Sequence, residues 1–218
     1  SPDWNDPDQA KQFEKRGQNN IALHGTANAI VKRAFLQHLD TLPKGGNVLV
    51  TVGGCGAGKG HVLGNNPDAA KIQAQAGAIW DSAGDQNATE NHWIQGEVEK
   101  RGMTATYLYV HADPQKSWAG KFGVVQRAND PKNGRMVDAA VFADSYGLGA
   151  KNHAEFASAN AANPAAKFLY LDNSTGAEKA PVVPSMPAAA LAVDRVALRQ
   201  FAMDEIKKRT DLAPAVVA

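Results

Sequence analysis

The chain has 218 residues, of which 44% are hydrophobic and 21% are charged. This length and apolar content fit one domain with a substantial core, and they exclude general disorder. Lysine and arginine number 23 against 22 acidic residues, so the net charge of +1 gives no global field favouring nucleic acid or a membrane surface. The apolar runs are too short to predict a membrane span.

The single cysteine, Cys55, excludes an internal disulfide and a cysteine-based structural zinc site. It favours a reducing compartment, and we expect a cytoplasmic protein. The chain begins Ser1-Pro2-Asp3-Trp4, without a Met or a basic segment, and this start predicts a piece cut from a larger polypeptide.

The predicted elements alternate between helices and strands. After a polar stretch over 1–20, apolar residues at three- and four-residue spacing predict a helix over 21–39. Short apolar runs predict buried strands, and apolar faces predict further helices. The predicted strands are 47–52, 76–80, 105–110 and 167–171, and the predicted helices are 89–101, 137–146, 152–161 and 188–209. This alternation predicts an α/β fold with a parallel sheet flanked by helices.

The domain organisation follows from these elements. Residues 1–44 are predicted to form a helical lead-in, and 45–178 a core with a helical lid at about 120–160. Residues 179–218 are predicted to form a proline-rich tether, at about 180–187, and a C-terminal helix that packs on the core.

A glycine-rich segment directly follows the first predicted strand. It reads Gly53-Gly54-Cys55-Gly56-Ala57-Gly58-Lys59-Gly60, followed by His61. It matches the P-loop pattern G-x-x-x-x-G-K-[ST] at Gly53, Gly58 and Lys59. Backbone N–H groups in such a loop surround phosphate oxygens, and the lysine adds a positive charge. Residues 53–61 are therefore the predicted nucleotide-binding segment of a P-loop NTPase- or kinase-like core.

The rival pattern, the dinucleotide loop G-x-G-x-x-G, fails here. Started at Gly54, it needs a glycine where Lys59 stands; started at Gly56, it needs one where His61 stands.

Gly60 departs from the P-loop pattern, which has Ser or Thr there to ligate Mg²⁺. This departure keeps a second hypothesis open, a nucleotide-binding module with impaired or no catalysis. A third hypothesis is an NTPase that drives a conformational change. The third strand argues against it, because it continues into Ala112-Asp113-Pro114 rather than an Asp-Glu pair.

Two aspartates, Asp81 and Asp85, follow the second predicted strand. Ligands of open α/β sheets bind outside the carboxyl ends of the strands, so both are expected beside the glycine-rich segment. A phosphotransferase needs a carboxylate to orient or deprotonate the acceptor hydroxyl, and often another near Mg²⁺. Each could instead cap a helix, and the helix dipole alone would explain Glu90.

Arg127 and Arg135 lie in a polar, glycine-flanked stretch after the third strand. Guanidinium groups suit the charge that develops on a transferring phosphoryl group, although solvated surface arginines are the alternative. Lys121 and Lys151 are predicted to be surface residues. The exit of the last strand, 172–176, could contact a nucleotide base or be a plain turn.

Taken together, these residues resemble the zeta-toxin family of P-loop kinases. The resemblance covers roughly 45–175 and is carried by 53–60, by Trp80-Asp81-Ser82-Ala83-Gly84-Asp85-Gln86-Asn87, and by Gly134-Arg135-Met136-Val137 preceded by Arg127. It implies transfer of the γ-phosphate of ATP or GTP, with Mg²⁺, to a hydroxyl of a nucleotide-sugar or an NAD-like dinucleotide.

The same resemblance implies roles for individual residues. Lys59 would bind phosphate, and an aspartate after the second strand would be the base. Which of Asp81 and Asp85 is the base stays open; Asp81 is favoured because it ends the strand, which leaves Asp85 to hold Mg²⁺ through water. Arg127 and Arg135 would clamp the γ-phosphate. It also implies an antitoxin partner, or a larger parent protein delivered into a target cell. The charge balance predicts neither nucleic acid nor a membrane as partner.

Overall fold

The computed structural model describes residues 25–83, 88–121, 123–128 and 137–209. They form an α/β fold around a five-stranded sheet with the order β2-β1-β3-β4-β5. The strands are β1 Asn47–Val52, β2 Ala78–Asp81, β3 Thr104–His111, β4 Ala166–Asp172 and β5 Val182–Val183. The first four strands pair in parallel, and β5 pairs with β4 in the antiparallel sense. The predicted α/β class with a mostly parallel sheet is thus confirmed.

Helices cover both faces of the sheet. They are α1 at 25–39, α2 Lys59–Asn65, α3 Pro67–Ala74, α4 Glu90–Lys100, α5 Pro114–Ala119, α6 Val124–Ala128, α7 Ala139–Ala159, α8 Ala188–Leu191 and α9 Arg195–Lys207. Four of them begin after an Asp or Asn whose side chain accepts backbone N–H bonds from the first turn, which satisfies donors that a helix start leaves free. These caps are Asn66, Asp113, Asp138 and Asp194.

The central strands β1 and β3 are buried because both faces of the sheet carry apolar side chains there. Val48 and Val50 face one core, which includes Tyr107 and Tyr109 of β3. Leu49 faces the other core, with Leu108 and Leu171 as neighbouring strand residues. Continuous apolar runs of this kind are typical of a parallel sheet covered on both sides.

The long helix α7 differs from the prediction of two helices over 137–146 and 152–161. The structure has one helix of 21 residues that continues through Gly147 and Gly149. A Cβ at Gly147 would lie 3.0 Å from Cβ of Arg195, so the missing side chain lets α9 pack closely. This contact with a distant part of the chain stabilises the helix across residues that disfavour it locally.

The C-terminal region also differs from its prediction. The single helix expected over 188–209 is divided into α8 and α9, because Asp194 caps a new helix start. Within the predicted tether, Val182 and Val183 pair with β4 at Leu171 and Tyr170. The proline-rich segment therefore adds an edge strand to the sheet.

The strand order places a crevice beside the end of β1. From β1 the chain passes to β2 on one side, then crosses to β3 on the other. In open α/β sheets, ligands bind where the connections diverge in this way, outside the carboxyl ends of the strands. The segment that follows Val52 lies at this position.

No helix in the described part of the chain has both the length and the apolar character needed to cross a membrane.

Candidate functional site

The glycine loop, residues 53–60, connects β1 to α2 in a conformation that depends on its glycines. Gly53, Gly56 and Gly58 have φ values of 151°, 81° and 81°. A Cβ at Gly53 would lie 2.3 Å from the carbonyl oxygen of Val110, and one at Gly56 would lie 2.8 Å from that of Ser117. Both the backbone angles and the close packing therefore exclude ordinary side chains at these positions.

Helix α7 supports the loop from below. A Cβ at Gly54 would lie 2.4 Å from the ring of Tyr146, which is fully buried. The N–H of Cys55 donates to Oγ of Ser145 at 3.0 Å, and this hydroxyl donates to the carbonyl of Phe142 at 2.7 Å. Burial raises the pKa of the Tyr146 phenol, so it stays neutral beneath the loop. Ser145 and Tyr146 are functional candidates that sequence reasoning missed, since they lie about ninety positions along the chain from the loop.

A second support comes from the end of β4. Nδ2 of Asn173 donates to the carbonyl oxygen of Ala57 at 2.9 Å. A Cβ at Gly58 would lie 2.8 Å from the same amide nitrogen, so Asn173 fills the space beside the loop. From the sequence, residues 172–176 could either contact a nucleotide base or form a plain turn. The structure forms a 3₁₀ turn there, Asn173–Thr175, and gives Asn173 a role in holding the loop.

Lys59 begins α2 and turns its side chain back over the loop. Its Nζ donates to the carbonyl of Gly53 at 3.2 Å and lies 3.8 Å from Oδ1 of Asp81. The side chain of Lys59 is 12% exposed and that of Asp81 is 67% exposed. Solvent around the carboxylate weakens this ion pair, so it adds little to stability. Its significance is that the predicted phosphate-binding cation and the predicted base lie together.

Asp81 is oriented by its neighbour in the sheet. It pairs with Thr51 in the register of β1 and β2, and Oγ1 of Thr51 donates to Oδ1 of Asp81 at 2.8 Å. Thr51 is buried, so this hydroxyl is fixed in position. The carboxylate is thus held at the carboxyl edge of the sheet while remaining open to solvent.

Glu90 approaches the same edge from α4. The buried hydroxyl of Ser82 donates to Oε2 of Glu90. From the sequence, the favourable interaction of a carboxylate with the helix dipole was enough to explain Glu90. The structure adds that its carboxylate is bonded to the residue after Asp81, so Glu90 helps to fix the end of β2.

The remaining predicted residues are placed differently. Asp85 and Arg135 lie outside the described residues. Arg127 is on α6 with an exposed side chain, and no described hydrogen bond or ion pair joins it to Lys59 or Asp81. His61 is exposed and contacts Asn65, one turn further along α2, through its Nδ1 at 3.0 Å. Gly60 is exposed, and a Cβ there would meet nothing within 4 Å.

Mg²⁺ would find few protein ligands among the described residues. These residues contain no group of three His, Cys, Asp or Glu side chains that could hold a metal ion. Mg²⁺ usually keeps several waters and takes one or two carboxylates together with substrate phosphates. Asp85, the residue assigned to Mg²⁺ from the sequence, lies outside the described residues, and Asp81 is an exposed carboxylate beside the loop.

A cavity of about 300 Å³ adjoins the loop on the side of β3 and β4. Gly56 of the loop, Lys116 of α5, Lys121 just after α5, and Ser174 after β4 contribute to its lining. Neither lysine was a candidate in the sequence; the prediction that Lys121 and Lys151 are surface residues is confirmed, because both are exposed. The sequence signal that could have identified Lys116 and Lys121 is their place in the segment that follows β3.

Comparison with known proteins adds no assignment. No family model matches the chain, and no curated protein matches it significantly.

Proposed function

We propose that this chain is a phosphotransferase that moves the γ-phosphate of ATP or GTP to a hydroxyl of a small molecule. The observation that carries the proposal is the position of Lys59 Nζ, which lies 3.8 Å from Asp81 at the end of the glycine loop. A cation for the phosphates and a carboxylate for the acceptor hydroxyl are the two groups that such a reaction needs side by side.

The loop supports the proposal through its backbone. The strand, the glycine loop, Lys59 and α2 follow one another in the order of a P-loop. Gly58 precedes α2 in the left-handed conformation without a side-chain cap, which leaves the first N–H groups of α2 available to phosphate oxygens. Ser145 and Asn173 bind the loop backbone, so it is organised before a ligand arrives.

The acceptor is part of the same proposal. The resemblance to zeta toxins suggests a hydroxyl of a nucleotide-sugar or an NAD-like dinucleotide. Asp81, oriented by Thr51 and exposed to solvent, would accept the proton of that hydroxyl. Mg²⁺, when bound with the nucleotide, would neutralise charge on the phosphates.

One observation favours a second candidate, nucleotide binding without phosphoryl transfer. Gly60 supplies no hydroxyl for a metal ion, and the open space around it shows that packing does not impose this glycine. Both candidates bind a nucleotide at the glycine loop, and only the phosphotransferase transfers its phosphoryl group.

The test is transfer of labelled γ-phosphate from ATP and GTP to a panel of metabolites, with identification of the labelled product by mass. We expect Lys59→Ala and Asp81→Asn each to lower the transfer rate by about a hundredfold or more. The matched controls are Lys71→Ala and Asp68→Asn, because these exposed residues form an equivalent ion pair at 3.3 Å on α3, outside the site.

The outcomes separate the candidates. Labelled product that disappears in both site variants and persists in both controls supports the phosphotransferase. Tight ATP binding without transfer to any metabolite supports the binding module. Wild-type turnover in both site variants would overturn the phosphotransferase assignment.

A further inference from the structure

The cavity beside the glycine loop lies on the opposite side of the loop from Asp81. Gly56 forms a wall common to the loop and the cavity, while β3, α5 and the segment after β4 form the others. A Cβ at Gly56 would lie 2.8 Å from Ser117 O and 3.1 Å from a methyl group of Val124, so this wall is closely packed. A ligand group in the cavity would therefore lie next to whatever the loop binds.

The lining of the cavity indicates the kind of group that fits. The described lining residues include Ser117, Asn173 and Ser174, which carry hydroxyl and amide groups, together with the charged residues Lys116, Lys121 and Asp113. Such groups suit a polar, oxygen-rich ligand.

The charge of the lining is predominantly positive. Lys116 and Lys121 contribute two ammonium groups, and Asp113 contributes the only carboxylate among the described lining residues. Oδ1 of Asp113 already accepts hydrogen bonds from the backbone N–H groups of Gln115 and Lys116 at 2.9 and 3.2 Å, so this carboxylate caps α5. The side chain of Lys116 makes no ion pair with any described residue. The ammonium group of lysine binds phosphate as a point charge.

We propose that this cavity binds a phosphate group, with Lys116 and Lys121 as its cationic partners. Its position next to the phosphoryl group at the loop rests on the proposed function. The phosphate comes either from the chain of the donor nucleotide or from a second, phosphorylated ligand. Under this proposal the lysines provide positive charge that the sequence had assigned to Arg127 and Arg135.

The experiment measures binding of three probes by calorimetry on the full chain: inorganic tripolyphosphate, ATP and ribose 5-phosphate. The variant is the double substitution Lys116→Ala and Lys121→Ala. The control is the double substitution Lys44→Ala and Lys151→Ala, which removes two exposed lysines outside the cavity. We expect the cavity variant to bind tripolyphosphate about tenfold more weakly than wild type, since each partly solvated ion pair adds a modest amount. The control should keep wild-type affinity.

The probes distinguish the two sources of the phosphate. Weaker binding of tripolyphosphate and ATP, with ribose 5-phosphate unaffected, assigns the cavity to the phosphate chain of the nucleotide. Ribose 5-phosphate that binds together with ATP, and is lost in the cavity variant, assigns the cavity to a second ligand. Higher salt should weaken the wild type more than the cavity variant, because fewer charges remain to be screened.

Other outcomes overturn the proposal. Equal affinities of wild type and cavity variant for all three probes would do so, as would the absence of any binding by the wild type. If the alanine variant unfolds at a lower temperature than the control, Lys116→Gln with Lys121→Gln repeats the measurement with most of each side chain retained.

Lys59→Ala keeps this test separate from the proposed function. If Lys59→Ala no longer binds ATP and the cavity variant binds all three probes as wild type does, the phosphotransferase proposal stands and the cavity proposal fails. If the cavity variant loses tripolyphosphate and Lys59→Ala binds ATP as wild type does, the cavity proposal stands and the phosphotransferase proposal fails.

Discussion

Gly60 is the residue at which the glycine loop departs from a P-loop, and its surroundings make the departure testable. It is the second residue of α2, it is exposed, and a Cβ would meet no atom within 4 Å. We expect Gly60→Ser to fold normally and to strengthen Mg²⁺-dependent ATP binding, because the hydroxyl supplies a ligand for the metal ion. The measurement is ATP affinity by calorimetry with Mg²⁺ and with a chelator.

Gly60→Ala is the matched control for that prediction. It adds the same Cβ without the hydroxyl, and both substitutions should stabilise the helix by up to about 1 kcal/mol relative to glycine. The prediction requires that the serine variant binds ATP more tightly than the alanine variant only when Mg²⁺ is present. Equal ATP affinities for the two variants with Mg²⁺ would show that the hydroxyl has no metal to bind.

His111, at the end of β3, gives a prediction about pH. It is 3% exposed, and its Nδ1 has no hydrogen-bond partner among the described residues. Burial lowers the pKa of His111 below its ordinary value of 6.5, while the carboxylates of Asp172 and Asp113 oppose this shift. The unfolded chain therefore takes up a proton at a higher pH than the folded chain does.

The sign of the pH effect follows from that difference. The contribution of His111 to the free energy of unfolding is fully present above pH 6.5 and is lost as the pH falls toward the lowered value of the folded state. We expect His111→Leu to reduce the loss of stability on acidification. Urea unfolding of both proteins above and below pH 6.5 measures this, and identical pH dependence in the two would contradict it.

Among the elements, α7 shows why only part of the site could be predicted. The strand, the glycine loop and Lys59 are contiguous, so their order in the sequence was enough to place them together. Ser145 and Tyr146 reach the loop through a contact between distant parts of the chain, and α7 was predicted as two helices. Local patterns carry no information about which helix face meets which loop, so this support could not be anticipated.

The junction of α2 and α3 depends on one buried side chain, that of Asn66. Its Oδ1 accepts the N–H groups of Asp68 and Ala69 at 3.1 and 2.9 Å, which caps α3. Its Nδ2 donates to the carbonyls of Ala177 and Ala180 at 2.7 and 2.8 Å, which ties α3 to the segment after β4. The side chain is 2% exposed, so none of these groups has water as a substitute.

We expect Asn66→Ala to lower the free energy of unfolding by about 3 kcal/mol, since it removes a cap and leaves buried carbonyls without a donor. Asn66→Asp keeps the capping oxygen but places a second oxygen against the two carbonyls, and it should be at least as destabilising. Asn65→Ala, at the exposed neighbouring position, is the control. Urea denaturation compares all three, and a mild effect of Asn66→Asp would show that the cap alone matters.

At the scale of the whole molecule, the sequence predicted the fold class better than its connections. The four parallel strands were found close to their observed bounds because each contains a short apolar run, although only β1 and β3 are buried on both faces and Ile79 of β2 is exposed. The order of strands in the sheet and the two-residue β5 depend on long-range pairing, which no local run of residues specifies. The sequence did predict that Asp81 lies beside the glycine-rich segment, because ligands bind at the carboxyl ends of parallel strands. The strand order adds that β2, which carries Asp81, is the direct neighbour of β1.

The fold and the glycine loop together predict that a nucleotide stabilises the whole chain. A ligand that binds only the folded state adds about 2.7 kcal/mol at a concentration of roughly 100 times its Kd. For a chain of this size, that corresponds to a rise in Tm of roughly 5–10 °C. We expect ATP to produce such a rise in the wild type and in the control Lys151→Ala, and to produce little or none in Lys59→Ala. Thermal unfolding followed by circular dichroism at increasing ATP concentration measures it. An equal rise in Lys59→Ala would place the nucleotide away from the glycine loop, and no rise in the wild type would contradict nucleotide binding altogether.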